Sequence, residues 1–419
     1  MSSSLKSTDD HRETVLRLIR ERSATTRPEL VLLSGLTRKI VLQRVEQLID
    51  VGLVKEDSVA ASTGGRPAGR LRFAADAGCI LTAVLGGTGF TVAIADLAGT
   101  PFRQHASPLP YALPAEQTLP RVEAAFHELL TDPGIERGPL RGIGVGVLGP
   151  VSPTGLTMDV MPKGGWEGFS VSQWFGKRHG VPVWVDNEVN MMALGEAHRR
   201  GSQSGHSVLY VKVSTGIGAG LISDRRLYRG ATGVAGELAH VTVPGARSLT
   251  CWCGNSGCLS TLASGPAIAQ FGEVSKQQGQ SPYLENIPLV RDRHVVAGAH
   301  AGDPACLQIM QRAGEALGLA VASATNLFNP GVIVIGGRVG GLASHLFVDP
   351  VRAAVQAHTF RLASQHIVIE SSVDAHTAGV VGTAQMVIQG ALSGDHLAAW
   401  DRLPRPAAAA TTLTSDILG

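Results

Sequence analysis

From residue 77 onward the chain runs as short stretches of β-branched and aliphatic residues, most of them closing on glycine, with amphipathic stretches between. Ile80–Leu85, Thr91–Ala95, Ile143–Leu148, Val183–Val185, Ser207–Val213, Val332–Ile335 and Ile367–Ile369 read as strands. Helical periodicity near 115–130, 192–200, 304–327, 342–357 and 380–392 separates many of them. That alternation predicts an α/β architecture in which helices cover the sheets. At 419 residues the chain exceeds one ordinary core and suits two or three domains. No short-period repeat interrupts it.

Residues 1–76 have another texture. A helix is expected over 10–22, followed by a short second helix capped by Thr25 or Thr26, with Pro28 in its first turn and Glu29 close behind. Gly35 supplies a turn, and a third helix begins near Thr37 with Val41, Val45 and Leu48 as its inner stripe. Gly52 stops that helix, and Leu53–Lys55 and Leu71–Phe73 pair as two short strands. Three helices, a glycine turn and a two-stranded wing describe a winged helix-turn-helix, whose third helix enters a DNA major groove. Arg38, Lys39 and Gln43 then point toward base edges, while Thr26, Thr37 and Arg44 are placed to hold phosphates. Arg66, framed as Gly-Gly-Arg-Pro in the wing, suits an A·T-rich minor groove. The segment holds 13 Lys/Arg against 10 Asp/Glu in a chain of net charge +2, so the basic excess belongs to this head. A protein-interaction module with a solvated basic face is the plainer alternative. Turn, helix charges and basic wing together favour DNA.

Three of the five cysteines fall between Cys251 and Cys258. The N-terminus has no signal-peptide core and no apolar run approaches ~18 residues, which predicts a soluble, cytoplasmic chain without membrane contact. A reducing compartment makes such a cluster a metal site more readily than a disulfide framework. Cys79 and Cys306 read as small core residues.

Cys251-Trp-Cys253-Gly-Asn-Ser-Gly-Cys258, preceded by Gly236-Glu237-Leu238-Ala239-His240, resembles the signature of the ROK family of repressors, open reading frames and kinases. The resemblance extends through Leu85-Gly86-Gly87-Thr88, Gly149-Pro150-Val151, Gly165-Trp166-Glu167-Gly168, Asn187, Ser214-Thr215-Gly216-Ile217-Gly218 and Asn326-Leu-Phe-Asn-Pro330, from residue 10 to about 392. It implies two ribonuclease-H-like lobes of the actin and hexokinase type over 77–395, closing on a cleft. Residues 396–419 are expected to be a disordered tail. The implied metal ligands are His240, Cys251, Cys253 and Cys258. One histidine and three thiolates make a closed shell for a structural Zn²⁺; three buried free thiols beside an unrelated histidine are the alternative.

The implied sugar site comprises Gly165, Asn187, Glu237 and His240, with Glu188 where the family has Asp at its base position. Ordinary surface polarity is the competing account of Asn187, Glu188 and Glu237. Ser260 stands where sugar-binding relatives carry Glu, which leaves the identity of the sugar open. On the phosphate side, Val84 replaces the Asp that helps organise Mg²⁺ in kinase members, and Ser214 replaces a glycine of the second phosphate loop. The resemblance therefore implies a repressor of carbohydrate genes that binds double-stranded operator DNA and a carbohydrate effector, as a homodimer or homotetramer, without kinase activity. An ATP-dependent sugar kinase with a regulatory head is the alternative.

Overall fold

The computed structural model describes residues 8–57, 69–110, 113–157, 165–201 and 206–402. The head consists of α1 (Thr8–Arg20), α2 (Arg27–Ser34) and α3 (Arg38–Asp50), followed by β1 (Val54–Asp57) and β2 (Arg70–Phe73). The two strands pair antiparallel. Thr26 caps α2 in a capping box with Glu29, and Thr37 caps α3 by accepting from the Ile40 amide. Both caps satisfy amides that a helix start leaves unpaired. Leu30, Val41, Val45 and Leu48 are fully buried between the helices. Arg27 grips Glu56 through two hydrogen bonds of 2.6 and 2.9 Å, tying α2 to the hairpin.

The first lobe follows with β3 (Cys79–Gly86), β4 (Gly89–Asp96), β5 (Pro101–Pro108), α4 (Ala115–Thr131), β6 (Leu140–Val147), α5 (Val171–His179) and β7 (Val183–Asn187). Its sheet order is β5-β4-β3-β6-β7, antiparallel across β5, β4 and β3 and parallel thereafter. Next comes α6 (Glu188–Arg200), then β8 (Ser207–Val213), β9 (Ile217–Ser223) and β10 (Arg226–Tyr228). After a long loop segment lie α7 (Ser260–Ala263), α8 (Gly265–Gln277), α9 (Asp292–His300), α10 (Pro304–Phe328), β11 (Val332–Gly336), α11 (Gly337–Leu342), α12 (Ser344–His358), α13 (Arg361–Ser364) and β12 (Val368–Ser371). The second sheet, β10-β9-β8-β11-β12, repeats the order and directions of the first. The two lobes are thus one α/β plan used twice.

Strand alternation decides which helices cover which face. Leu81, Ala83 and Leu85 of β3 pack toward Phe126 of α4 and Phe175 of α5. In β8, Leu209, Val211 and Val213 pack with α10 and α12, while Val208 and Tyr210 turn to the opposite face, against α6. The remaining helices, α14 (Ala375–Ala391) and α15 (Gly394–Leu397), end the described chain together with a short turn to Arg402. α6 and α14 pack together between the lobes. A methyl group at Gly195 would overlap the Ala378 carbonyl, and one at Gly382 the Met191 carbonyl, so only glycine permits this approach.

One expectation is corrected by the C-terminal residues. Residues 396–402 are not part of a disordered tail: Leu397 is fully buried, Trp400 is 5% exposed, and the Arg141 guanidinium lies 4.5 Å from the Trp400 ring centroid. The head packs on the body beyond residue 76. Val15, Leu16 and Leu53 share one hydrophobic cluster with Ile80, Val387, Leu392, Leu397 and Trp400, and Glu13 accepts from the Gly394 amide at 2.9 Å. Burying those apolar side chains makes head and C-terminal helices one body. No helix among the described residues is long and apolar enough to cross a membrane.

Candidate functional site

A cavity of about 520 Å³ lies between the lobes, lined among others by Asn187, Glu188, Lys212, Thr215, Glu237, His240, Trp252 and Ser260. A second, of about 320 Å³, is lined by Val84, Gly86, Gly87, Thr88, Ser214 and Arg338. Both are also bounded by Glu188 and Lys212.

The β7–α6 junction places the first group of polar residues. Asn187 caps α6, its Oδ1 accepting from the Val189 amide at 2.7 Å, so its NH₂ is the part left for a ligand. Asp186, one residue earlier, is buried. Its Oδ1 accepts from the Asn187 amide and from Asn190 Nδ2, and its Oδ2 from Arg229 Nε at 2.6 Å. Asp186 therefore locks the junction rather than facing a ligand. Lys212 lies on the same face of β8 as Val208 and Tyr210, toward α6. Its Nζ donates to both Glu188 oxygens, at 2.6 and 2.7 Å, with both side chains buried. The sequence reading singled out neither Asp186 nor Lys212.

The loop from 237 to 260 supplies the opposite wall. His240 Nδ1 lies 3.7 Å from Cys251 Sγ, and Cys253 Sγ lies 3.8 Å from Cys258 Sγ. All four ligand atoms fall within 4.8 Å of one another. A tetrahedral metal–thiolate site with bonds of about 2.3 Å has edges of about 3.8 Å, so this group fits one ion closely. Nδ1 is the nitrogen turned toward Cys251. Nε2 looks toward Glu237, whose Oε2 is 4.0 Å away. Burial pushes the Glu237 carboxyl above its ordinary pKa. Ser260 Oγ contacts Cys251 Sγ at 3.4 Å.

Gly165 is not among the residues lining the large cavity. It holds a left-handed φ of 92°, and its carbonyl accepts from the Ala115 amide. On the phosphate side, Val84 packs with Ala93 and Val380 and offers no ligand atom. Arg338 is held by Asp292 at 2.8 and 2.5 Å. Burial raises the Asp292 carboxyl, but the Arg338 hydrogen bonds and charge outweigh it and hold it below the ordinary range.

In the head, Thr37, Arg38, Lys39 and Gln43 are exposed along one side of α3. Arg44 is not. It is 7% exposed, with Nη1 donating to Gln47 Oε1 at 2.6 Å. Position 44 neighbours Val41, Val45 and Leu48 on the helix, and that stripe turns it inward. Thr26 is half-buried at its cap. Arg66 lies outside the described residues.

Residues 81–390 match the ROK family. The chain belongs to the ROK family. Its likeness to the xylose repressor of Caldicellulosiruptor bescii is 28% identity over 387 residues, covering 90% of this chain and 95% of that one. Among solved structures, a ROK family transcriptional regulator, a homologue of the Escherichia coli MLC protein, superposes with a TM-score of 0.79 at 26% identity, covering 92% of this chain and 98% of that one. A ROK family glucokinase from Streptomyces griseus, in complex with glucose and AMPPNP, superposes with a TM-score of 0.62 at 26% identity. It covers 75% of this chain and 100% of its own. The ROK match begins at residue 81, just beyond the head, and the likeness to the transcriptional regulator extends over most of the chain.

Proposed function

We propose that this ROK protein is a DNA-binding transcriptional repressor whose interlobe cleft binds a carbohydrate effector. The observation that carries the reading is the shared core of head and body: the helix pair at the cleft is continuous with the element that packs on the DNA-reading unit. α6 begins at the cleft with Asn187 and Glu188, α14 packs along α6, and α15 lies against α1. A ligand that draws the lobes together acts on α6 and α14, and so on the placement of α3. In a homodimer or homotetramer this changes the spacing of two heads and their fit to half-sites on double-stranded DNA.

Thr37, Arg38, Lys39 and Gln43 form the proposed DNA face, supplemented by Thr26 and by Arg66 in the wing. Asn187, Glu188, Glu237 and His240 form the proposed sugar rim, with Gly165 as the family's further backbone contact. Zn²⁺ is the proposed occupant of His240, Cys251, Cys253 and Cys258, where it supplies structure and no reaction chemistry. Those four residues fix the loop that carries Glu237 and His240 to the cleft wall.

Kinase activity is proposed to be absent. Val84 holds no metal, and both Glu188 oxygens already accept from Lys212, which leaves the base position engaged. The likeness to a glucokinase favours the second reading, an ATP-dependent sugar kinase with a regulatory head. Gel-shift titration on the promoter next to this gene, with and without D-xylose, D-glucose or N-acetylglucosamine, tests the first reading. Failure to bind that DNA under any condition, together with sugar-dependent ADP release, establishes the second.

A further inference from the structure

Five tryptophans are distributed over the chain, and four have evident work inside the fold. Trp166 Nε1 donates to the Leu113 carbonyl at 2.9 Å, and Trp400 Nε1 donates to the Ala391 carbonyl at 3.1 Å. The Arg178 guanidinium lies 3.6 Å from the Trp174 ring centroid, and Trp184 packs between the cores and against His396. Trp252 is different. It is 55% exposed, and it lines the large cavity. Its ring contact is an edge-on one with His240, centroids 5.2 Å apart at 79°. No protein group among the described residues accepts from its indole N–H.

We infer that Trp252 is a stacking platform for the effector, so that the cleft recognises a pyranose ring by its C–H face as well as by its hydroxyls. The inference rests on the carbohydrate reading of the same cleft. An exposed indole at a cavity wall offers a ligand a large, flat apolar surface. Here the opposite needs of one ligand are met together: Asn187, Glu237 and His240 offer hydrogen-bonding groups, and Trp252 offers a flat apolar surface. A pyranose has that same division, with C–H bonds on its faces and hydroxyls around its rim. An open-chain polyol has the hydroxyls without the face.

The backbone that carries the indole is tied on both sides. Trp252 sits between two cluster cysteines, and its loop is closed by the Cys251 amide donating to Asn255 and the Gly254 amide donating to Cys251, at 2.8 and 3.0 Å. A loop closed in this way before binding avoids an ordering cost that a flexible loop carries. The position also explains the T-shaped contact, since His240 belongs to the same cluster.

The test uses the full-length, metal-loaded protein. Calorimetry with D-xylose, D-glucose and N-acetylglucosamine first identifies a binding sugar, with xylitol and sorbitol as face-less controls. Acrylamide quenching then compares wild type with Trp252→Phe, isolating the exposed indole. We expect a binding pyranose to shield Trp252 from acrylamide and the matching polyol to bind at least ~10-fold more weakly. Trp252→Ala is expected to weaken the pyranose by about fivefold or more, within the range of one lost aromatic contact plus its buried area. Should Trp252→Ala lose metal or fold, the wild-type quenching experiment still decides. A pyranose that binds while Trp252 quenching is unchanged overturns the stacking role and leaves the carbohydrate reading standing. If no pyranose binds wild type, both fall. Shielding that depends on protein concentration instead of sugar assigns Trp252 to a subunit contact and also overturns the inference.

Discussion

The Lys212 ammonium lies within 2.7 Å of both carboxylate oxygens of Glu188, and this buried pair separates the two interlobe cavities. Glu188 opens α6 from the first lobe, while Lys212 belongs to the central region of the second sheet. The pair therefore bridges the lobes where the two cavities adjoin. Breaking a buried pair leaves one charge without compensation, which costs more than the intact pair contributes. Lys212→Met is expected to destabilise the protein by ~3–5 kcal/mol in urea denaturation. The Lys212→Met, Glu188→Gln double variant should recover most of that loss. A single variant as stable as wild type would show that water reaches the pair.

The proposed absence of phosphoryl transfer rests on the same geometry. In a coupled ADP-release assay with Mg²⁺ and common hexoses, pentoses and amino sugars, no turnover is expected. Val84→Asp should not restore it, because Lys212 still engages Glu188 and Ser214 still shapes the second loop. Turnover on the order of 1 s⁻¹ in either protein contradicts the repressor-only reading.

For the metal site, elemental analysis should find one zinc per chain. Removing it with a chelator should lower Tm and expose the loop cysteines to maleimide. Cys306 provides the internal control. It is fully buried, and burial pushes its thiol up to about 12, so it stays protonated and unreactive in the folded protein. Labelling of Cys306 at the same rate as Cys253 would mean that chelation had unfolded the second lobe entirely.

Two arginines of α3 should separate DNA reading from stability. Arg38→Ala, at an exposed position, is expected to weaken operator binding by ~1–3 kcal/mol and relax base preference if it contacts guanine. Arg44→Ala should leave base preference intact and lower Tm, because its guanidinium is buried on Gln47. Gel shifts at fixed salt and thermal melts on both variants decide. The reverse pattern would place Arg44 at the DNA.

Asp292 and Arg338 give the fold an acid-sensitive clasp. The Asp292 pKa is depressed in the folded protein, so its contribution is present above the unfolded value of about 3.9 and is lost as pH falls through the folded value. Denaturation midpoints should fall more steeply below about pH 4 in wild type than in Arg338→Met. Parallel curves for the two proteins would remove the clasp as a contributor.

Local rules carried much of this structure into the sequence. Thr26 and Thr37 cap helices because a hydroxyl at that position satisfies free amides, and Val41, Val45 and Leu48 are buried because helical spacing puts them on one side. The cysteine spacing brought Cys251, Cys253 and Cys258 together within one loop, and the family resemblance added His240. Edge strand β5 was not legible, since its residues are mostly exposed and lack apolar alternation. The Trp400 segment reads as disordered because Ala and Pro surround it, yet Leu397 and Trp400 are buried and the Trp400 indole donates to the Ala391 carbonyl. Arg44 looked polar and outward by type, but its place on the helix decided otherwise. Lys212 meets Glu188 only because one lobe's strand alternation and the other lobe's helix start converge across the cleft. Local sequence specifies which residues share a face, while contacts between faces far apart in the chain exist only once the sheets have packed.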